Sequence, residues 1–463
     1  MRCNVRLAPL PAVSSLVRLK AAWSTAVRLT AAMALVSCSA PADLPLPTRP
    51  ALVESLDGLD HEGTSLRPKL TVSQVALLAV RNNPDLRAAR AQHGVAQAQV
   101  LQAGLLPNPQ VTAAFLPLVA GVGTTPAWNA GISEDIRALI TLSSTRRAAR
   151  SSAAQIDAQI LWQEWQVIGQ ARLLAVDIIE AERSLALMAR YRDLLAARYS
   201  RSQRAVSAGN ETLAVSAPDL VALQTTTTQI NDLKRQQLAR RHQLNALLGL
   251  APDVAVPLDR TPDIPPWNAD VVAQALPTLA ERRPDLVALQ LGYWVQNAKL
   301  RAAILSRFPN LTFGVTGGSD NSNVRNAGPQ ITLELPIFNQ NQGNIAIETA
   351  TRQQLHDEYA ARLTAAVGQV RAMMAEIDLL NRQLQDVRHE LSGTRRIASQ
   401  AESAFNAGNL DERSYVDLVG ARLTKEQEIV TIEQSLLDQQ VAIATLIGAD
   451  MPAVALPRED TFR

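Results

Sequence analysis

The residue types that most often perform chemistry are sparse in this chain of 463 residues. None of its histidines has another histidine or a cysteine at the spacing of metal ligands, and the adjacent Met373 and Met374 are typical of helix packing. A P-loop, a GxGxxG following a strand, an HExxH motif and a cysteine pair are all missing from the sequence. We therefore expect no catalytic site, no metal site and no cofactor, and a protein that is not an enzyme. The histidines are His61, His93, His242, His356 and His389.

One cysteine has surroundings that predict a covalent modification. Basic residues near the N-terminus precede an uncharged run over residues 29–36, an order typical of an export signal spanning residues 1–37. The Leu-Val-Ser sequence before Cys38 resembles the bacterial lipobox, in which the cysteine is acylated and becomes the new N-terminus. Cys38 is thus predicted to be a lipid anchor, the alternative being an incidental cysteine behind an ordinary signal peptide. Ser39 is not the aspartate that often marks inner-membrane retention, so an outer-membrane location is expected.

Net charge and hydropathy argue against two classes of protein, those that bind nucleic acid and those that span a membrane with helices. The 45 basic and 43 acidic side chains give a net charge of +2, which provides no field for binding nucleic acid. The uncharged run before Cys38 is shorter than the roughly 20 apolar residues of a spanning helix, and no later segment supplies about 18 uninterrupted apolar residues. The sequence therefore predicts no nucleic-acid partner and no transmembrane helix.

Residues 38–69 contain several prolines and predict an extended tether.

The body of the chain repeats itself. "NPDLRAAR" from Asn83 corresponds to "RPDLVALQ" from Arg283, and "SAGN" from Ser207 corresponds to "NAGN" from Asn406. The same order of matches at a nearly constant offset predicts a duplication into residues 70–260 and 261–451, followed by a tail over 452–463.

Proline positions predict very long helices in both halves. No proline occurs over residues 127–217 or 337–451, and Pro218 falls where a helix is expected to start. Residues 345–405 are predicted to form one helix. Residues 416–447 carry two neighbouring apolar seams, which indicates a helix with a neighbour on each side; one broad stripe in a helical bundle is the alternative. The first seam is Val416, Val419, Leu423, Val430, Leu437, Ala444 and Ile447, and the second is Ile429, Ile432, Leu436, Ile443 and Leu446. Polar positions expected to face water include Thr424, Gln427, Thr431, Gln434, Ser435 and Asp438.

Between these helices, residues 109–136 and 309–338 predict two short strands in each half. Ile331, Leu333 and Leu335 alternate with polar residues, so one strand face could meet lipid and the other a watery lumen. A soluble hairpin explains the alternation equally well. Four strands leave unpaired edges in lipid, whereas three chains would supply twelve strands.

Taken together, these blocks and the "LELPIF" segment from Leu333 resemble the TolC family of outer membrane efflux proteins over residues 70–450. The first half departs from the family pattern, with "LITLSSTRR" in place of a proline-rich strand exit. The resemblance implies a mainly α fold with a β-barrel portion: a homotrimer with a long α-helical barrel and a 12-stranded β-barrel in the outer membrane. The implied function is a passive channel for a tripartite efflux system, with a periplasmic adaptor and an inner-membrane pump, an RND pump being expected, as partners. The "QAGLLPNP" block is closest to the branch serving heavy-metal pumps.

The resemblance also suggests functional residues. Gly209 and Asn210 in the first half, and Gly408 and Asn409 in the second, are predicted to form the helix turns at the periplasmic tip. Asp417 is the candidate gate of the aperture, with Asp411 and Glu412 strengthening its negative field. The alternative class is a structural periplasmic coiled-coil lipoprotein without channel activity, which would not need paired strands in both halves.

Overall fold

The computed structural model describes residues 43–61 and 67–449, so the predicted signal over 1–37, Cys38 and the tail over 452–463 lie outside the described residues. The chain divides into two units, residues 1–51 and 52–463. In the first unit, residues 43–51 are exposed and form neither helix nor strand. None of the described helices contains a stretch long and apolar enough to span a membrane.

Part of the predicted tether packs against the body. Val53 pairs with Leu250 in a parallel bridge, and its amide donates to the carbonyl of Gly249 at 3.1 Å. A short 3-10 helix, Leu56–Gly58, precedes Leu59, which is buried in the first hydrophobic cluster. Apolar side chains at these positions are removed from water, which favours docking over the free extension expected for residues 38–69.

The first half contains four helices and two strands. Their bounds are α1 Val72–Asn82, α2 Pro84–Gly104, β1 Gln110–Leu116, β2 Ala127–Asp135, α3 Ile136–Ser207 and α4 Leu213–Leu248. With 72 residues, α3 is about 108 Å long at a rise of ~1.5 Å per residue. The "LITLSSTRR" segment lies within α3, because β2 passes directly into the helix at Asp135, whose side chain accepts from the amide of Ala138 at 3.1 Å. Pro218 lies inside α4, beyond its first turn, rather than at its start. A proline there cannot donate to the carbonyl of Ala214, and its ring crowds that carbonyl.

The second half repeats this order. Its elements are α5 Ala269–Ala275, α6 Leu279–Arg282, α7 Pro284–Leu305, β3 Asn310–Ser319, β4 Arg325–Glu334, α8 Gln342–Asn406 and α9 Glu412–Ile447. The long helix predicted over 345–405 is therefore confirmed. Gly249 and Gly448 end α4 and α9 in the left-handed conformation, at φ values of 73° and 64°. The last helix of each half therefore ends in the same way, at a glycine.

The two largest hydrophobic clusters among the described residues hold the long helices together. The first joins α1, α3 and α4 around side chains such as Val75, Ala175 and Leu248. The second joins α8 and α9 to the α5–α7 segment around Leu279, Ile377 and Ile443. Leu437 of α9 packs against the first cluster, whereas Leu436 and Ile443 are buried in the second, so α9 has the predicted neighbour on each side.

Two details of the seam prediction are wrong. Ile447, assigned to the first seam, packs in the cluster of the second. Gln427 and Gln434 do not point to water but donate to α3, to Ser184 Oγ at 2.8 Å and Asp177 Oδ1 at 2.5 Å. Asp438 is likewise half-buried. Spacings of seven and four residues keep these three side chains on the stripe of α9 that faces α3.

Candidate functional site

The four strands form one antiparallel sheet in the order β1-β2-β3-β4. Val111 pairs with Ile132, which pairs with Val315, and Phe313 pairs with Ile331. Paired residues lie on the same side of a sheet, so the alternation predicted for one strand extends across all four. A structural coiled-coil lipoprotein, the alternative class, would not need such paired strands.

The two faces of this sheet differ in character, although Glu134, Ser319 and Arg325 lie at the ends of the apolar face and Leu116 on the polar face. The apolar face carries Val111, Phe115, Trp128, Ile132, Phe313, Val315, Ile331 and Leu333. The polar face carries Thr112, Asn129, Ser133, Thr312, Thr316, Gln330, Thr332 and Glu334. Val111 is 75% exposed and Ile331 is 66% exposed. A contiguous exposed apolar face of this kind requires a partner surface or a lipid environment.

Glycines on the polar face allow close backbone approach between strands. A Cβ atom at Gly314 would come within 2.5 Å of the carbonyl oxygen of Ile132, and one at Gly318 within 2.5 Å of that of Trp128. Such distances are below any real Cβ contact, so these positions exclude all other residues unless the strands move apart. Glycine at defined sheet positions permits strong local bending.

The two predicted tip turns have the same geometry. Gly209 and Gly408 adopt left-handed conformations at φ values of 71° and 76°. The amide of Asn210 donates to the carbonyl of Ala205, and that of Asn409 to Ala404, both at 2.8 Å. This pattern is the Schellman motif, which reverses a chain after a helix. A Cβ atom at either glycine would meet no heavy atom within 4 Å, so the requirement for glycine is conformational.

The carboxylates predicted near the second turn are all engaged within the chain. Asp411 caps α9 by accepting from the amide of Ser414 at 2.9 Å, and hydrogen bonds from Ser414 lower the pKa of Asp411. Glu412 forms an ion pair with Arg201. Asp417 accepts from Arg198 Nη1 at 2.5 Å, although its side chain is 64% exposed. None of the three is an isolated negative charge in the single chain.

The surroundings of Asp417 contain three residues that sequence reasoning missed. Arg198 Nε lies 3.1 Å from Oδ1 of Asp219, a fully buried carboxylate on α4. Arg413 Nη2 on α9 lies 2.9 Å from the other oxygen of Asp219. The network therefore joins α3, α4 and α9 close to both turns. Residues 198, 219 and 413 are far apart in the sequence, and only the fold brings them together.

The residues considered for metal binding have other partners. His93 Nδ1 lies 2.6 Å from Asp157, and His356 lies 3.0 Å from the adjacent Asp357. Met373 and Met374 pack against the second hydrophobic cluster. Within residues 43–61 and 67–449, no three histidine, cysteine or acidic side chains are grouped to hold a metal ion.

Comparison with known proteins agrees with this architecture. Residues 275–449 match the family described as outer membrane efflux protein. The chain is 27% identical to Outer membrane protein OprJ of Pseudomonas aeruginosa over 46% of each chain, so it spans about half of that relative. It is 24% identical to the pyoverdine export outer membrane protein OpmQ of Pseudomonas putida, over 82% of this chain and 86% of OpmQ.

The CmeC outer membrane channel of Campylobacter jejuni superposes with a TM-score of 0.66 at 16% identity, covering 88% of this chain and 94% of CmeC. The fold is therefore TolC-like, with long helices joined to a small sheet. Residues 275–449 are thus similar to outer membrane efflux proteins, and most of the chain is similar to OpmQ.

Proposed function

We propose that this protein is the outer-membrane channel subunit of a tripartite efflux system. The observation that carries the proposal is the sheet, whose apolar face is exposed and whose strands are connected along the chain to pairs of long helices. A lipid-facing apolar surface and a polar lumen are what a membrane channel requires. The role is passive conduction of cargo delivered by an inner-membrane pump, RND-type by the family resemblance, through a periplasmic adaptor. Metal ions, drugs and other small molecules all fit, because the pump selects the cargo.

The functional assembly that we propose is a homotrimer. Within the described sheet, β1 and β4 each have a single neighbour, so both outer edges present unpaired backbone groups. Hydrocarbon cannot satisfy such groups. Three copies of the four-stranded sheet supply twelve strands, an even number within the range of closed outer-membrane barrels.

Three local roles accompany this assembly. Cys38 carries acyl chains that hold the N-terminus at the outer membrane. The turns at Gly209-Asn210 and Gly408-Asn409 contact the adaptor, which the matched turn geometry supports. Asp417, supported by Asp411 and Glu412, forms a ring of carboxylates at the periplasmic aperture; its exposed side chain supports this role, while its ion pair with Arg198 reduces the field that it exerts.

The experiment that tests the channel uses the purified full-length protein in detergent and in planar bilayers. We expect a mass corresponding to three chains and discrete current steps after insertion. A monomer with intact β structure, or a trimer that never conducts, would contradict the proposal.

Two variants on neighbouring residues of β4 provide a matched comparison. Ile331→Lys places a charge on the apolar face, where lysine costs about 2–4 kcal/mol at the bilayer midplane, so membrane-inserted protein should fall strongly. Gln330→Lys places the same charge on the polar face and should insert normally. Equal insertion of both variants would show that the apolar face does not contact lipid.

A further inference from the structure

Four carboxylates and three guanidinium groups lie together where α9 packs on α3. Asp177 and Glu180 come from α3, and Glu433 and Asp438 from α9. The basic partners are Arg183 on α3, Arg240 on α4 and Arg388 on α8. This set is referred to below as the α3–α9 charge cluster.

Each basic residue of the cluster forms an ion pair with a carboxylate other than Asp438. Arg183 Nη1 lies 3.3 Å from Glu180 and 2.7 Å from Glu433, and Arg388 lies 2.8 Å from the other oxygen of Glu433. Arg240 Nε lies 3.2 Å from Asp177, whose other oxygen accepts from Gln434. Asp438 is the acidic member left without an ion pair among the described residues.

The environment of Asp438 opposes a negative charge there. Its Oδ1 atom is buried and has no hydrogen-bond partner within the described part of the chain. With all seven groups ionised, the cluster has one uncompensated negative charge, and an unpaired buried charge is costly. Burial first, and then the nearby Asp177 and Glu180, raise the pKa of Asp438 to about 7, while Arg240 opposes this shift.

We propose that Asp438 is a proton-binding site through which the packing of α9 on α3 depends on pH. With a proton on Asp438, the three remaining carboxylates balance the three guanidinium groups, and the neutral carboxyl packs against α3. Loss of the proton leaves the excess negative charge between the two helices and weakens their packing. The helix α9 runs without interruption from Glu412 to Ile447, so Asp438 lies on the same helix as Asp417.

The direction of the pH effect follows from proton binding. The folded chain holds a proton on Asp438 up to pH about 7, whereas an ordinary aspartate loses it near 3.8. The stabilisation is therefore fully present below pH 3.8 and is lost as the pH rises through 7. Between these values the folding equilibrium constant should fall by up to about tenfold per pH unit, the limit for one proton. Burial also raises the pKa of Glu180, so its ionisation likewise lowers the stability of the fold as the pH rises.

The test compares unfolding of the full-length wild type and three variants between pH 5 and pH 8. Asp438→Asn keeps the size of the side chain and mimics the protonated form, so its unfolding midpoint should vary much less over this window. Asp386→Asn makes the same chemical change at an exposed position of α8 and should follow the wild type. Glu180→Gln should retain the titration near pH 7. The proposal would be overturned if the unfolding midpoint of Asp438→Asn changed with pH as steeply as that of the wild type. It would also be overturned if only Glu180→Gln lost the pH dependence near 7.

Two measurements on the wild type complete the test independently of the folding of any variant. Infrared spectra should show a protonated carboxyl band that disappears near pH 7. Amide exchange in residues 427–441, corrected for the intrinsic effect of pH, should increase over the same range. A chain that has no protonated carboxyl at pH 6, or whose exchange in α9 is constant, does not contain the proposed site.

Discussion

Asp219 and Asp417 share Arg198 but lie in different surroundings. Asp219 is fully buried and has a second partner in Arg413, whereas the side chain of Asp417 is 64% exposed. Removing one partner from a buried ion pair costs about 3–5 kcal/mol, while exposed pairs contribute roughly 0.2–1 kcal/mol. Asp219 therefore serves to hold α3, α4 and α9 together. Asp417 can be changed with little effect on folding.

The gate proposal leads to a prediction for Asp417→Asn. In a planar bilayer, divalent cations added on the periplasmic side should block the wild-type current, and the variant should be blocked several-fold less. The reason is that three like charges at a constriction concentrate cations. The measurement is the blocking concentration at fixed voltage and salt.

A matched control is Asp193→Asn, which removes an exposed carboxylate of α3 that contacts only the adjacent Arg192 among the described residues. The concentration of divalent cations that blocks the current of this variant should equal that of the wild type. Unchanged block in a correctly folded Asp417→Asn protein would exclude this carboxylate as the gate.

At the scale of elements, the two long helical pairs differ at their otherwise matched turns. The rings of Phe405 and Tyr415 stack with centroids 4.7 Å apart across the second turn. The equivalent positions of the first turn are Val206 and Ser216, given the offset of 199 residues between the two glycines. Stacked aromatic pairs contribute about 0.5–1.5 kcal/mol beyond burial. The two turns therefore share a backbone geometry but not the side chains that reinforce it.

The docking proposal predicts that Gly209→Val and Gly408→Val abolish crosslinking to the adaptor. Outside glycine, the left-handed conformation costs about 1–2 kcal/mol and is worst for β-branched residues. The turn should therefore change shape while the trimer and its membrane location persist. Photo-crosslinking in cells, scored against total trimer, is the measurement.

Gly393→Val is the matched control, because Gly393 lies in α8 with an ordinary helical backbone and open space around its Cα. This variant should crosslink like the wild type. Persistent crosslinking in both turn variants would show that the adaptor docks elsewhere.

At the scale of the whole molecule, two features can attach the protein to the outer membrane. One is the predicted acylation of Cys38, and the other is the apolar face of the sheet. An acyl chain contributes roughly 0.8 kcal/mol for each buried CH₂ group. In the proposed trimer, the apolar faces of three chains would bury far more surface than one lipid anchor, so we expect the sheet to dominate membrane retention.

The anchor proposal predicts that Cys38→Ala removes palmitate labelling yet leaves the trimer in the outer membrane. Cells are fed radiolabelled palmitate, and the labelled protein is compared with the total protein in fractionated membranes. Ser37→Ala provides a control that changes the preceding small residue but retains the cysteine. Equal labelling of wild type and Cys38→Ala would refute acylation at this position.

The sequence alone determined the elements that depend on local chemistry. Proline-free stretches permitted α3 and α8, glycine after a helix specified the turns at Gly209 and Gly408, and alternation in β4 indicated a two-faced strand. Periodicity in α9 also predicted a neighbour on each side. These inferences succeeded because each depends on residues close together in the chain.

Only the tertiary structure decided which distant groups meet. The sequence predicted a free carboxylate at Asp417, but in the fold Arg198 of α3 donates to it. It predicted that Gln434 and Asp438 face water, but α9 packs on α3, where Gln434 donates to Asp177. The sequence could not reveal these contacts because polar periodicity does not distinguish water from a polar partner on another helix. Ion pairing and burial depend on positions across roughly 200 residues of chain, and these are fixed only when the two halves pack together.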